Sequence, residues 1–274
     1  GTDFSAFFMG MPINMRAHAH GQGYLDLNFL IPEIISTVRF AKGPYRADRG
    51  DFSTAGTTTF NIYEEVDSPY IKVEFGSDNH LRSLAVGSLD FNKGVMLSAL
   101  EVMKNDGPWV LPADVDKVNF LTQYTLDLKD TEIKTALTVY DNNWNSTDQF
   151  PQRQVLSGAM GRFGYVDPSL GGDSSRLNMV FGLSNDSYSA GLYVSRYKLN
   201  LFGNFTYFQE DPVNGDSHEQ VDRRWIYGGH FEFRRELTSS VNLRVGTDLR
   251  SDQIGEVSLH SVENRIRLGL VRQD

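Results

Sequence analysis

The chain contains no cysteine among its 274 residues. That absence excludes disulfide bonds, zinc–thiolate sites and a cysteine nucleophile. Positive charge is also in short supply, since 26 Lys and Arg stand against 35 Asp and Glu. A nucleic-acid-binding protein carries a basic patch for the phosphates, so we expect no nucleic-acid partner. No apolar run approaches the ~18 residues of a membrane-spanning helix. The first residues show no signal-peptide pattern, so we expect a processed chain or a fragment.

What the sequence does have is a regular alternation of apolar and polar residues from about residue 71 onward. Ile71, Val73 and Phe75, for example, alternate with Lys72 and Glu74. A period of two places one face of a strand in an apolar medium and the other in water or polar filling. Transmembrane β-strands need only about ten residues of this kind. The pattern therefore predicts a series of amphipathic strands.

Short and long connections between these strands take turns along the chain. The short ones lie near Lys129, Asn185 and Thr238, and the long ones cover about residues 105–116, 143–174 and 209–221. The long connections are rich in Gly, Pro, Asp and Asn, which favour turns and loops. Tight turns at one end and long loops at the other are typical of an up-and-down barrel in an outer membrane.

A soluble antiparallel β-sandwich is the alternative fold, because its strands also alternate. Two observations favour the barrel. One predicted strand, from Asp222 to Glu236, is far longer than the mean of about 5–6 residues in globular proteins. Aromatic residues also gather near strand ends, as expected at a membrane interface. They are Tyr140, Trp144, Tyr197, Tyr207, Phe208, Trp225 and Tyr227.

The first 66 residues have a different pattern. Gly10-Met11-Pro12 predicts a turn between two short strands. Pro32 suits the first turn of a helix, so we expect a short helix over about residues 33–36. Lys42-Gly43-Pro44 predicts another turn, and a Gly-rich run then leads to a strand that ends in Asn61-Ile62. We therefore divide the chain into a small α+β segment, residues 1–66, and a β-rich segment, residues 67–274.

The motifs of the first segment resemble the C-terminal half of the plug domain of TonB-dependent outer-membrane receptors. The matching positions are Gly10, Asn14, Ile31-Pro32, Lys42-Gly43-Pro44, Gly50, Ala55, Gly56, Asn61 and Ile62. Their order and spacing agree with the family throughout. The resemblance implies that residues 67–274 form the N-terminal part of a transmembrane antiparallel β-barrel. About nine or ten strands are expected here, against the roughly 22 strands of plugged transporters.

Four positions depart from the family pattern. Met9 replaces the aspartate of the first hairpin, and Thr57 replaces the second glycine of a Gly-Gly pair. Lys42 replaces an arginine, and Arg39 replaces an acidic residue three positions earlier. The resemblance implies that charges here pair with the barrel wall, so we expect Arg39 and Lys42 to be plug–barrel contacts. Because Arg39 replaces an acidic residue, its partner should have the opposite charge to the partner found in the family.

The loop between Asn14 and Leu27 holds the candidate ligand-binding residues. They are Arg16, His18, His20, Gln22 and Tyr24. The resemblance implies that this loop is the plug apex, which meets the substrate in vitamin B12 and siderophore receptors. His18 and His20, two positions apart on one face of a strand, could bind a metal. The alternative is two loop histidines that make hydrogen bonds, and on that alternative we expect no metal site.

Three functions remain open on the sequence. The resemblance implies a TonB-dependent transporter in the cell outer membrane that imports a scarce ligand, such as a siderophore-iron complex or cobalamin. Its expected partners are the TonB energy-coupling protein, a small-molecule or metal-chelate ligand and outer-membrane lipid, with no catalytic residue and no cofactor. No TonB box is recognised in these residues. The alternatives are a passive porin-like or structural barrel and a soluble β-sandwich that binds or hydrolyses carbohydrate.

Overall fold

A small four-stranded sheet forms the first part of the molecule in the computed structural model, which describes residues 1–273. Its strands are β1 (Phe4–Phe8), β2 (Met11–Pro12), β3 (Ile35–Lys42) and β4 (Gly56–Ile62), in the order β2-β1-β4-β3. β1 and β4 run parallel, whereas β1–β2 and β3–β4 are antiparallel pairs. We call these four strands the plug sheet.

The expected helix over residues 33–36 is wrong in type and extent. A single 3-10 turn covers Pro32–Ile34 and is closed by the Ile35 N–H, which donates to the carbonyl of Pro32. Ile35 itself has an extended backbone and pairs with Ile62. β-Branched residues favour strands, so pairing with β4 ends the helical turn early. The turn predicted at Gly10-Met11-Pro12 lies earlier, at Met9 and Gly10, which both have positive φ, because Met11 and Pro12 form β2.

Ten further strands form a second, larger sheet in which each strand pairs with the next along the chain. They are β5 (Tyr70–Phe75), β6 (Leu81–Phe91), β7 (Gly94–Asn105), β8 (Val115–Leu128), β9 (Thr131–Asn145), β10 (Gly171–Ser184), β11 (Tyr188–Gly203), β12 (His218–Thr238), β13 (Val241–Glu263) and β14 (Ile266–Gln273). All neighbours are antiparallel, and β5 and β14 are its edges within residues 1–273. We call this sheet the wall. The mainly β fold and the strand number predicted from the sequence are thereby confirmed.

Short and long connections of the wall alternate as predicted up to β12, whereas the last two connections, residues 239–240 and 264–265, both have two residues. Two-residue turns such as Asn92-Lys93, with φ of 45° and 71°, join strands at one end. Long loops cover residues 106–114, 146–170 and 204–217 at the other end. The short helix α1 (Gln152–Leu156) lies in the second of these loops. We call the end of the wall that carries the short turns the turn end, and the end that carries these long loops the loop end.

The two faces of the wall have different surroundings. Leu84, Val86 and Leu97 on its inner face share one buried apolar cluster with Phe8 and Ile34 of residues 1–66, which we call the plug segment. The outer face carries large apolar side chains that remain exposed, including Ile71 (77%), Leu192 (65%) and Leu249 (71%). Such a continuous apolar face indicates a lipid-facing surface. The helices in the described part of the chain are all too short to cross a membrane.

Candidate functional site

The loop over residues 14–27 is fixed at its base by one buried side chain. Asn14 is 2% exposed, and its Oδ1 accepts a hydrogen bond from the Ala6 N–H at 2.8 Å. Its Nδ2–H donates to the carbonyl of Phe4 at 2.9 Å. Met15 and Tyr24 then pair across the loop, and the Met15 N–H donates to the Tyr24 carbonyl. A loop anchored in this way presents its tip at a defined place. We call it the apex loop.

A cavity of about 250 Å³ lies between the apex loop and the wall. His20, Tyr24, Asp26, Asn28, Tyr140, Asn142, Trp144, Ser174, Leu199 and Leu201 line it. The first four come from the plug segment and the others from β9, β10 and β11, close to the loop end. A concave site with aromatic surfaces and a few polar groups is the usual form of a small-molecule site.

The polar groups of this cavity are one carboxylate together with hydroxyl, amide, imidazole and indole groups, most of which can also donate hydrogen bonds. Asp26 is buried, and its Oδ1 accepts hydrogen bonds from the backbone and side chain of Asn28 at 2.9 and 2.8 Å. Tyr140 and Ser174 share a hydrogen bond of 2.9 Å across two strands. Its lining residues include neither lysine nor arginine. This cavity therefore offers carboxylate, amide and hydroxyl oxygens beside the Trp144 ring.

The five candidate residues of the apex loop lie in three different environments. His20 and Tyr24 line the cavity, and Nδ1 of His20 lies 2.9 Å from Oε1 of Gln220. Arg16 and Gln22 are exposed, with Arg16 Nε 3.5 Å from the Asp51 carboxylate. His18 lies beneath the cavity with its side chain fully buried. A ligand-binding role for these residues stays a prediction.

His18 is held on three sides. Its ring stacks on Tyr24 with 4.0 Å between centroids, and its Nδ1 accepts the His20 N–H at 3.0 Å. Its Nε2 lies 3.7 Å from the Asp222 carboxylate. Burial, together with the nearby Arg224 guanidinium, lowers the pKa of His18 to about 3. The ring is therefore neutral at neutral pH. Within residues 1–273, no three His, Cys, Asp or Glu side chains are grouped to hold a metal ion.

A row of buried charges on β12 and β13 lies behind His18. The Arg224 guanidinium contacts Asp222 at 2.5 Å and Asp252 at 3.3 Å. Arg250 contacts Asp252 at 2.6 Å and donates to the Asn14 carbonyl at 2.8 Å. The row thus connects the wall to the base of the apex loop. The row was not predicted from the sequence, although the Asp and Arg of each pair are two residues apart on one strand face.

A second charged cluster connects the plug segment to the wall near the 3-10 turn Pro32–Ile34. Arg82 on β6 makes two hydrogen bonds to Glu33, at 2.6 and 2.8 Å, and a third to Glu101 at 2.6 Å. Lys117 contacts the other oxygen of Glu101 at 3.1 Å. Mainly because Arg82 donates to it, the pKa of Glu33 falls to about 2.

The expected plug–barrel contacts Arg39 and Lys42 lie elsewhere. Both are exposed on β3, where the neighbouring Val38 and Phe40 are each 57% exposed. Within residues 1–273 they make no ion pair with the wall. The described wall strands do not cover this part of β3, so the contact stays a prediction. Ion pairs with the wall were expected from Arg39 and Lys42 on β3, and Glu33, just before β3, makes such pairs with Lys72 and Arg82.

Solved structures share this arrangement of plug sheet and wall, although no family model and no curated protein matches the chain. The unliganded ferric citrate transporter FecA aligns with a TM-score of 0.73 and 10% identity, over 100% of this chain and 42% of that one. The FrpB iron transporter from Neisseria meningitidis gives 0.67 and 14%, over 92% and 41%. The siderophore receptor PiuA from Acinetobacter baumannii gives 0.65 and 12%, over 95% and 39%.

These likenesses cover the plug sheet and the wall together. The chain has the fold of TonB-dependent receptors. It spans about two fifths of the length of the solved structures that it matches. The predicted resemblance is thereby confirmed at the level of the fold.

One buried arginine of the wall also contacts the plug segment. Arg176 on β10 is 1% exposed, and its guanidinium carbon lies 4.7 Å from the centroid of the Phe29 ring. Its Nε–H donates to Asn178 at 3.0 Å. A desolvated cation over an aromatic face is attracted by about 2 kcal/mol. Arg176 therefore adds a contact between the wall and Phe29 of the plug segment.

We expect the receptor fold to lose stability as the pH falls from about 6.5 towards 3, in part through His18. The pKa of this ring drops from 6.5 to about 3 on folding. The unfolded chain therefore binds a proton in this window that the native ring does not, and acid favours the unfolded state. The free energy of unfolding of His18→Gln, measured by urea titration between about pH 7 and 5, should depend less on pH than that of the unmodified protein.

The matched control for this experiment is His80→Gln. His80 lies in the turn between β5 and β6, away from the apex loop. That variant should keep the original pH profile. An H18Q profile as steep as that of H80Q would contradict the role of His18.

Proposed function

We propose that the protein is a TonB-dependent transporter of the outer membrane that binds a scarce ligand at the apex-loop cavity and imports it into the periplasm. The proposal rests on the origin of the residues that line the cavity. One side is plug segment and the other is wall, so any displacement of the plug changes the site. Energy supplied through TonB would act on a ligand held between the two.

The chemistry of the matched structures supports a small ligand of the metal-chelate kind. They include an iron transporter, a ferric citrate transporter, a siderophore receptor and a copper transporter. We propose siderophore-iron, cobalamin or a similar compound as the ligand class for this protein. Within this class, the aromatic and oxygen-rich lining favours a compound with an uncharged, polar periphery over an anionic one, because the lining lacks lysine and arginine.

The distribution of contacts between plug and wall also supports a movable plug. Within residues 1–273, the ion pairs between carboxylates of the plug segment and cations of the wall lie in two places, at Glu33 and at Glu64, which contacts Lys134 at 2.9 Å. Hydrogen bonds at Asn14, Asn28 and Tyr63 add to these. Discrete polar contacts can be broken stepwise. We further propose the division at residue 66 and a barrel-wall contact for Arg39 and Lys42 as parts of the same transporter.

Uptake measurements in a Gram-negative host test the function directly. Cells that express the complete protein as their only high-affinity receptor should accumulate a radiolabelled iron chelate or cobalamin, and deletion of the TonB protein should abolish this accumulation. A passive porin would import without TonB and would conduct ions in a planar bilayer. Import that persists without TonB would overturn the proposal.

Replacing Trp144 with alanine should weaken ligand binding about tenfold. Loss of one aromatic contact costs about 0.5–1.5 kcal/mol beyond buried area, and 1.4 kcal/mol corresponds to a factor of ten. Tyr24→Phe removes one hydroxyl and should weaken binding less. Fluorescence titration with ferric citrate, a ferric siderophore and cobalamin measures the change. Trp225→Ala, on the outer face, is the matched control and should leave affinity unchanged.

A further inference from the structure

The apex-loop cavity contains one carboxylate that no cation contacts. Asp26 is 4% exposed and is the one acidic residue of the cavity lining. Both of its hydrogen bonds, from the backbone and side-chain N–H groups of Asn28, end on Oδ1. Within residues 1–273, no lysine, arginine or histidine nitrogen lies within 4.0 Å of this carboxylate. Removing a carboxylate from water is unfavourable unless a cation or hydrogen-bond donors compensate it, which leaves Oδ2 to accept from a bound molecule.

Two cations of the neighbouring wall strands have other partners. Arg176 on β10 is near enough to be attracted by Asp26, but its guanidinium lies over the Phe29 ring, 4.7 Å from the centroid. Lys117 on β8 contacts Glu101 at 3.1 Å. Neither side chain lines the cavity. Asp26 therefore lacks a contacting positive charge, which a ligand in the cavity can supply.

A second acceptor of the cavity also lacks a donor. Asn142 on β9 lines the cavity, and its Oδ1 is buried and receives no hydrogen bond from residues 1–273. Buried polar atoms of this kind are nearly always satisfied. The hydroxyl groups of Tyr140 and Ser174 are already paired with each other. The plug segment and the wall thus each present one acceptor, and a primary ammonium group, with three N–H donors and no acceptor, can satisfy both.

Aromatic rings complete the surroundings of these acceptors. Tyr24, Tyr140 and Trp144 line the same cavity. Gly172 is opposite Trp144 in the register, and a Cβ atom there would lie 3.1 Å from Cζ2 of the indole, so glycine makes room for this ring. Burial and, after it, the charge of Asp26 raise the pKa of Tyr24, whose hydroxyl therefore stays uncharged. The faces of aromatic rings attract cations, so a carboxylate among such rings favours a cationic group.

We propose that the transported ligand presents a primary ammonium group to Asp26. The N–H groups donate to the Asp26 carboxylate on the plug side and to Asn142 on the wall side, with Trp144 beside the charge. The rest of the ligand's periphery is uncharged and polar, because the lining holds neither lysine nor arginine. This inference rests on the proposed function, since it takes the apex-loop cavity as the ligand site. The ammonium group bridges plug segment and wall, so displacement of the plug separates the two acceptors.

Calorimetric titration of the complete protein in neutral detergent tests the site with three probes of nearly equal shape. Benzylamine is a cation at neutral pH, benzyl alcohol is uncharged and benzoate is an anion. Compounds of this size bind a suitable cavity with a Kd in the millimolar range. Benzylamine should bind at least about tenfold more tightly than the other two, because hydrogen bonds between charged groups are the strong ones.

Variants of the two acceptors locate the binding. Asp26→Asn keeps the shape of the side chain and removes its charge, and should weaken benzylamine binding at least about tenfold. Asn142→Ala removes the second acceptor and should weaken it severalfold. Asp67→Asn, at an exposed position between plug sheet and wall, removes the same charge elsewhere. It is the matched control and should bind benzylamine like the unmodified protein.

Benzoate tests the opposite assignment, because Nη1 and Nη2 of the buried Arg176 have no hydrogen-bond partner within residues 1–273. The proposal is overturned if benzylamine does not bind, if either other probe binds as tightly, or if D26N retains benzylamine like D67N. Should D26N fail to show heat-modifiable migration, N142A takes its place in the same comparison. The titration involves neither TonB nor transport. Its failure therefore leaves the proposed import standing, and import without TonB would leave the binding result standing.

Discussion

Replacing Arg82 with alanine is expected to lower the free energy of unfolding by about 3–5 kcal/mol, which is the usual cost of removing one partner from a buried ion pair. Arg82 supplies three hydrogen bonds to Glu33 and Glu101. The Glu101 side chain is only 2% exposed and would keep Lys117 and Asn119 as partners. Glu33 would keep only Lys72, so the plug segment loses its main charged contact with the wall.

Urea unfolding in lipid vesicles measures the total change, and amide hydrogen exchange shows where it occurs. Exchange should accelerate in β3 and β4 of the plug sheet and remain slow in β8 to β11. Lys72→Ala is the matched control, because its ammonium group contacts the same Glu33 carboxylate at 3.3 Å but is 46% exposed. Exposed pairs contribute about 0–1 kcal/mol. Equal losses for the two variants would show that Arg82 is not the plug contact described above.

The second large effect is expected at Arg224, whose replacement by leucine leaves Asp222 buried without its closest cation. Asp222 and the Arg224 side chain are fully buried, so the expected loss is again about 3–5 kcal/mol. Asp222 also accepts the Ala19 N–H in the apex loop. The loop should therefore exchange its amide protons faster, and ligand affinity should fall with it.

A double variant distinguishes the buried charge from the lost packing. Asp222→Leu combined with Arg224→Leu removes both charges and should recover part of the stability, because paired apolar residues often replace a buried ion pair at little cost. Arg235→Leu, at an exposed position on the same strand, is the control and should change stability by less than about 0.5 kcal/mol. A double variant less stable than R224L would contradict the assigned role.

Most of the fold could be predicted from the sequence, because the alternation of apolar and polar residues and the lengths of loops are local properties of the chain. The strands around Ile71 and between Asp222 and Glu236 could be read directly, and so could the plug motifs. The helix expected after Pro32 was wrong, because pairing of Ile35 with Ile62 overrides the local preference. Local propensity carries no information about such a long-range pair.

Only half of the candidate site could be found in this way. His20 and Tyr24 belong to a continuous loop and were recognised together. Asn142 and Ser174, which face them, come from strands more than 100 residues away, and their positions depend on the register of the whole wall. The Arg82–Glu33 contact was missed for the same reason. Charged residues at every second position of a strand indicate that one face of the strand points inward. They do not show which residues that face contacts.

The parallel pairing of β1 with β4 has a mechanical consequence. Five consecutive register pairs, from Phe4–Gly56 to Phe8–Phe60, join these two strands at the centre of the plug sheet. A force directed along β1 would load all five pairs in shear at the same time. A force that pulls the free end of the edge strand β3 away from β4 would instead unzip the antiparallel pairs, breaking them one after another. The plug sheet is therefore strong along one axis and weak along another, and the direction of an applied pull decides which of its strands yields first.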